Sequence, residues 1–377
     1  MSADQSKPAD EAGRRPTATP VAEVVEFLEF LAPPALSSPE TPYGLQAGTP
    51  TAAVRTIVVA PMATQSALAC ASARDGALIL TAAPLLTGPL TAVRRDDPIG
   101  NKLATILEQG SCLYALANSY FAAPGGFDDS LAEALGLAAT RLLRPTCNET
   151  LHRIAVYVPV SAVEAVYLAA AEAGAGRLGN YSHCSFQARG LGTWMPEPGA
   201  HPVAGQVGTL TKMEEVRLEM VVPQRELQGV IAAVVEAHPY EEVAYDVIAL
   251  RNPGTQYGRG RVAELPLNVS LDTVLAQVSD ALSGASIRLS HRSDLPISSV
   301  AVAAGQGDGL YWHANRAGAG ALVAGGVCTQ DVMLAEQSAT VIIDVGFSHS
   351  VAPGLRALCR QLRDTFGADG IDVVFCP

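Results

Sequence analysis

Apolar residues recur along this chain at two spacings, and each spacing predicts a different kind of element. Val21, Val24, Val25, Leu28 and Leu31 fall three and four apart, which predicts an amphipathic helix that Pro33-Pro34 ends. VRTIVVAP (54–61) is a nearly unbroken apolar run and predicts a buried strand. Gln65 to Arg74 predicts a helix, and ALILT (77–81) the next strand. Asp97 is placed to cap a helix with Pro98 at its first position and Gly110 past its end. CLYALA (112–117) predicts another strand, and APGGFDDSLAEALGL reads as a glycine turn, an aspartate cap and a short helix. Strands that alternate with helices predict a parallel, doubly wound sheet.

The pattern changes near residue 150. RIAVYVPV predicts a strand, and Ser161 with Glu164 predicts a capping box for a helix ending at Gly174. A glycine-rich stretch leads to a strand (Glu215–Val222), a helix (Gln224–Ala237) and a strand (Val243–Leu250). Two strand–helix units with a long middle connection predict a split βαβ, ferredoxin-like module. From Ile297 the first pattern returns: ISSVAVAAG, GALVAG and ATVIIDVG are three strands with helices between them. A helix from Pro353 to Thr365 then leads to a last strand, IDVVFC. The expected class is therefore α/β, with a tail over 1–19, a first α/β lobe over 20–150, an inserted α+β domain over 151–265 and a second α/β lobe over 266–377. A length of 377 residues fits this division, being too long for one core.

Composition narrows the partners. Charged residues are 16% and the formal net charge is −12, so a polyanion is repelled on average. No basic cluster exceeds Arg94-Arg95, and nucleic acid is not an expected partner. Seven cysteines, an odd number with no CxxC spacing, argue against a zinc ribbon and against a disulfide framework. They read as small core residues in a reducing cytosol. No apolar run reaches the ~18 residues of a membrane span, and the first residues lack the apolar core of a signal peptide. The expected location is the cytoplasm, with no membrane partner, and the polar, Pro-rich start is expected to be disordered.

In doubly wound sheets, ligands bind beyond the carboxyl ends of the strands. Here ALILT is followed by Ala82 and Ala83, CLYAL by Ala117 and then Phe121, and VIIDVG by Phe347 and then Val351. None of these side chains is a donor. GQGDG (305–309), which contains Asp308, follows a strand and precedes a helix, as a phosphate-cradling turn would. It lacks the lysine of a P-loop, and its spacing favours a plain tight turn. No two of the seven histidines lie at the spacing of a helical metal pair. His349 stands just beyond the VIIDVG strand. GNYSHCSF (179–186), with His183, and HPYEEVAYDV (238–247), with His238, Tyr240 and Glu241, are the richest polar stretches. Read as strand residues, Glu241 and Glu242 point to opposite faces and cannot act as a pair. The alternative for His238-Pro239-Tyr240 is a helix-to-strand turn whose side chains bond locally.

GNYSHCSF, GLGTWMPEPGAHPVAGQVG, EEVRLEMVV, HPYEEVAYDV and GRGRVAEL (258–265) stand in an order that closely resembles the GTP cyclohydrolase 1 type 2 homologue, or NIF-three-like, family. EVVEFLEFLAPP, GLQAG, DDPIGNKL, AAPGGFDDSLAEALGL and VAVAAGQGDG match its pattern as well, so the resemblance runs from about residue 20 to 377. It implies a two-lobed α/β core, an insert like the PII signal protein and CutA, a toroidal homohexamer and a site for two divalent metals. The resemblance places ligands at Ala82, Ala83, Ala117, Phe121, Phe347 and Val351, none of which can ligate. Met62 stands where it implies an acid, and Gln330 where it implies a histidine. The expectation is therefore no cofactor, against a family norm of two metals.

Three functions follow for testing. The first is a non-catalytic binding or scaffold protein. The second is a metal-dependent hydrolase of GTP or a related nucleotide, with replacement ligands from His349, Asp344, Asp308 and Asp331. The third is a PII-like module that senses a small anion or nucleotide through His183, His238, Tyr240, Glu241 and Arg261. No feature of the sequence selects a protein partner.

Overall fold

Strands that are apolar at every position need cover on both faces, and helices supply it. In the computed structural model, which describes residues 19–37, 42–74, 76–138, 140–307 and 309–377, the chain does this twice. It divides into two units: one made of the chain up to Pro145 together with Gly258–Pro377, the other of Thr146–Tyr257.

The first unit begins with α1 (Val21–Leu31), β1 (Gly44–Ala47), β2 (Thr56–Ala60), α2 (Gln65–Ser72), β3 (Ala77–Thr81), α3 (Pro98–Glu108) and β4 (Cys112–Ala115). Two short helices follow, α4 (Ala117–Ala122) and α5 (Phe127–Ala134), and then β5 (Arg141–Asn148). Every residue of β2, β3 and β4 is buried. The Asp97 carboxylate accepts from the Gly100 amide at 2.7 Å and caps α3, as its position predicts.

The second unit holds β6 (Leu151–Pro159), α6 (Val163–Glu172), β7 (Ser185–Trp194), β8 (Thr211–Pro223), α7 (Leu227–Ala237) and β9 (Tyr245–Ala249). Its four strands form an antiparallel sheet in the order β7-β8-β6-β9, the ferredoxin-like arrangement that the strand–helix pattern predicts. Val156, Val158, Leu218 and Met220 on one face pack with Val166, Val230 and Val234 in a core of their own.

The chain then returns to the first unit through β10 (Gln256–Val269), α8 (Leu271–Ala281), β11 (Arg288–Leu289), β12 (Ile297–Ala303), α9 (Leu310–Arg316), β13 (Ala321–Ala324), α10 (Thr329–Ala335), β14 (Val341–Asp344), α11 (Phe347–Phe366) and β15 (Asp372–Phe375). Two sheets result, β1-β4-β3-β2-β15 and β11-β14-β13-β12-β10-β5. The central strands of both are parallel, so their carboxyl ends gather loops on one side of each sheet. Among the described residues no helix is long and apolar enough to cross a membrane.

Several local expectations differ from the structure. The last strand does not extend the second sheet; β15 runs parallel to β2, with Val373 opposite Ile57, and closes the first sheet. Strand pairing across the whole chain leaves no trace in a local pattern. The division falls at Pro145 and Tyr257 rather than at 150 and 265, because β5 and β10 run unbroken across it. The Ser161/Glu164 capping box does not form: a 3-10 turn over Val160–Ala162 precedes α6, and no side chain caps it. Helix α11 starts at Phe347 and passes through Pro353, which costs the His349 carbonyl its donor without stopping a helix anchored by buried Leu355, Leu358 and Leu362. Residues 1–18 of the predicted tail, and Asp308, lie outside the described residues.

Candidate functional site

Polar and aromatic side chains gather at two places in the molecule. The first is where the strand ends of the first unit meet. Asp128, on α5, is fully buried and accepts three hydrogen bonds: from the Gly260 amide at 2.6 Å, the Ala304 amide at 2.7 Å and Arg259 Nε at 3.2 Å. Arg259 also donates to the Ala304 carbonyl at 2.8 Å, and its guanidinium lies 4.5 Å from the centre of the Phe121 ring. Phe121 in turn packs on Phe127 with centroids 4.7 Å apart. The loop after β12 is squeezed against this group: a methyl on Gly305 would fall 2.5 Å from the Phe121 ring and 3.3 Å from that of Phe347. Ala82, Ala117 and Val351 are buried, and Ala117 has the left-handed φ of 44°. That backbone strain sits at the carboxyl end of β4, where functional residues commonly store it.

This pocket can be tested against the metal pair that the resemblance implies. Two divalent cations need several nitrogen or oxygen donors between them. The six side chains at the implied positions are hydrocarbon. Among the described residues no three of His, Cys, Asp or Glu stand together as one ion requires. Asp344 is held by Arg288 Nη2 at 2.6 Å and by the Gly346 amide at 2.9 Å, and Asp331 accepts from the Gly309 amide at 2.9 Å. The residues present do not fit the metals.

In the GQGDG segment the Gly305, Gly307 and Gly309 amides donate to Ser350 Oγ, the Gly326 carbonyl and Asp331, at 2.9, 2.8 and 2.9 Å. Those three donors are therefore spent on the protein rather than left for a phosphate.

The second place is a cleft of about 600 Å³ in the Thr146–Tyr257 unit. Its walls include Trp194 at the end of β7, Glu215 on β8, Tyr157 on β6, and Tyr240, Glu241 and Glu242 in the turn between α7 and β9. His238 builds that turn. Its Nε2 donates to the Tyr157 carbonyl at 3.1 Å, and its Nδ1 accepts from the Tyr240 amide at 3.2 Å. An accepting Nδ1 requires the neutral ring, and burial pushes the imidazole pKa down against the opposing pull of the Tyr157 hydrogen bond and, after it, of Glu215. Tyr240 stacks edge-on against His238 and tilts against Trp194, with centroids 5.0 and 5.7 Å away. Its hydroxyl donates to Glu215 Oε1 at 3.2 Å, and burial, reinforced by the Glu215 charge, pushes its pKa up to about 12. Trp194 Nε1 donates to the Ala204 carbonyl at 3.3 Å, which fixes the indole.

The sequence candidates therefore separate. His238, Tyr240 and Glu241 come together at the cleft, though His238 positions the turn rather than facing a ligand. Glu241 and Glu242 precede β9 rather than lying in it, so strand alternation does not apply and both line the cleft. His183 is exposed, with φ of 60°, beside Tyr167 and outside the cleft lining. Arg261 belongs to the other unit, is 5% exposed, and is consumed by Asp129 and the Gly258 and Gly260 carbonyls. His349 sits in the first turn of α11, and among the described residues it belongs to no cluster that could hold a metal ion. Sequence reading missed Trp194 and Glu215. Their signals were faint: one of only two tryptophans, and a glutamate at the head of a run of valine, leucine and methionine.

The neutral state of His238 has a consequence for stability. Its folded pKa lies below the ordinary 6.5, so the unfolded chain binds the proton first as pH falls. The contribution is complete above 6.5 and is lost below it, down through the folded pKa. The unfolding midpoint followed by Trp194 emission in a Trp312→Phe background is expected to drop with acidification in that window, and less so when His238→Gln is added.

The Duf34/NIF3 (NGG1p interacting factor 3) family matches residues 19–377. The chain is 35% identical over 303 residues to a Bacillus subtilis protein named GTP cyclohydrolase 1 type 2 homolog, covering 80% of this chain and 81% of that one. A Mycobacterium tuberculosis protein of the same name is 34% identical over 357 residues, 92% of each chain. The crystal structure of a Bacillus cereus protein related to NIF3 superposes with a TM-score of 0.86 at 31% identity, covering 96% of this chain and 97% of that one.

Proposed function

This chain belongs to the Duf34/NIF3 family, and from that premise we propose that it is a member without the family's dinuclear metal centre, acting by binding rather than by catalysis. One observation carries the reading. All six positions that the family resemblance reserves for ligands hold hydrocarbon, and Phe121 and Phe347 close on Gly305 where metals would need room. A leftover carboxylate or imidazole there would be buried without its cation, at a cost of several kcal/mol. Replacing the whole set removes that cost. The hydrolase reading needs donors that the described aspartates have already committed elsewhere. A homo-oligomer, hexameric by resemblance, is part of the same proposal. So is a cytosolic setting, supported by seven free thiols.

Elemental analysis of the purified oligomer, combined with native mass spectrometry, tests this. The expected result is far less than one equivalent of manganese, iron or zinc per chain, even after incubation with excess metal. Two tightly held equivalents per chain overturn it.

A further inference from the structure

The cleft of the Thr146–Tyr257 unit carries four carboxylates, Glu197, Glu215, Glu241 and Glu242, and among its described lining residues there is no lysine, arginine or histidine. Three of these acids are exposed and would be ordinary surface charges. Glu215 is different. It lies on the sheet face away from α6 and α7, yet it is only 9% exposed. One of its oxygens accepts from Tyr240, and among the described residues it has no ion-pair partner. Gly192 makes its place: a Cβ there would fall 2.0 Å from Glu215 Oε2. A mostly buried carboxylate with no ion-pair partner is placed to take a cationic donor from a ligand.

The second observation is aromatic. Trp194 and Tyr240 are each pinned by a hydrogen bond through their polar atom, which leaves their rings as fixed walls. Fixed indole and phenol faces attract cations, and more strongly where water is excluded. Apart from Tyr157 and Thr193 the remaining lining is apolar, with Met195 and Val203 exposed at the rim. The volume suits a small molecule rather than a bare ion.

We propose that this cleft binds a small organic cation, a primary or substituted amine on an apolar body, with its ammonium group at Glu215 and its body against Trp194 and Tyr240. The charge of the walls is opposite to what the small anion or nucleotide expected from sequence would need. The inference gives the binding reading its ligand class, and rests on that reading only for the purpose of the site. Metal content and ligand affinity are separate measurements, so either idea can fail alone.

The test uses the full-length oligomer carrying Trp312→Phe, which leaves Trp194 as the sole indole reporter. Phenylethylamine, its neutral counterpart phenylethanol and the anion phenylpropionate are titrated at neutral pH. The amine is expected to change Trp194 emission saturably, with phenylethanol about tenfold weaker and phenylpropionate silent, the ratio that one charge-assisted contact carries. Glu215→Gln is expected to bring the amine down to the affinity of phenylethanol and to leave phenylethanol unchanged. Should that variant not fold, Glu242→Gln and the salt dependence of amine binding still decide: both are expected to weaken the amine selectively. Equal affinity for amine and alcohol, preference for the anion, or no response to the amine overturns the proposal.

Discussion

Asp128→Ala is expected to lower the stability of the first unit by about 3–5 kcal/mol, the range for removing one partner from a buried charged network. The carboxylate is fully buried and joins three chain segments that are far apart in sequence. Its acceptors hold α5 to the Gly260 amide in β10 and to the Ala304 amide after β12, at 2.6 and 2.7 Å. Truncation strands both amides, each at about 1–3 kcal/mol if no water replaces the oxygen. It also leaves Arg259, whose side chain is only 13% exposed, without its counter-charge. Asp128→Asn separates the two contributions. It keeps one oxygen acceptor and loses the charge, and is expected to cost about half as much. Urea unfolding followed by circular dichroism measures both, with an unchanged slope as the sign that only stability moved. A loss below about 1 kcal/mol for the alanine variant would mean that solvent reaches the site and the network is not structural.

Asp128 also marks what could be seen from sequence and what could not. The helices and parallel strands of the first unit were legible because strands buried on both faces are apolar throughout, and β2, β3 and β4 are. The ferredoxin-like class of the second unit followed from its strand–helix alternation, with its edge strand β7 unread. β5, β7 and β10 were not legible: they carry arginine, glycine, proline and glutamate instead of an apolar run, and β5 and β10 owe their places to each other across the intervening unit's sequence. The strand-end pocket was legible as a list of missing donors, since six positions could be read directly. What surrounds them was not, because the Arg259 contact with Phe121 crosses from β10 to α4. In the cleft, the turn around His238 was legible as local chemistry. Glu215 was not, because a glutamate on the outer face of a strand is usually wet, and this one is covered by Gly192 on β7 and by Tyr240 in the turn before β9.

Whether hydrocarbon fills the strand-end pocket or merely lines it is decided by Phe121→Ala. If the ring is a packed part of the core, the variant leaves a cavity and costs about 3–5 kcal/mol. It also removes the aromatic face under Arg259 and the packing on Phe127. If the ring instead borders an open, wet pocket, solvent enters and the loss stays near or below about 1 kcal/mol. Gly305→Ala tests the same space from the opposite wall. Its φ of 66° disfavours a side chain, and the new methyl would press on Phe121 at 2.5 Å. Alone it is expected to cost about 1–3 kcal/mol for overpacking, with the backbone strain added. The double variant then discriminates. With the Phe121 ring gone the methyl at 305 enters the vacated volume, so only the backbone term of the second change survives. The two losses are expected to fall short of additivity by about 1–2 kcal/mol, within the range for residues in contact. Strict additivity, together with a small loss for Phe121→Ala, would show the pocket open and would reopen the case for a ligand there. A large loss with strong coupling means that the positions where the resemblance implies metal donors serve as core in this chain, and that chemistry there would first have to unpack it.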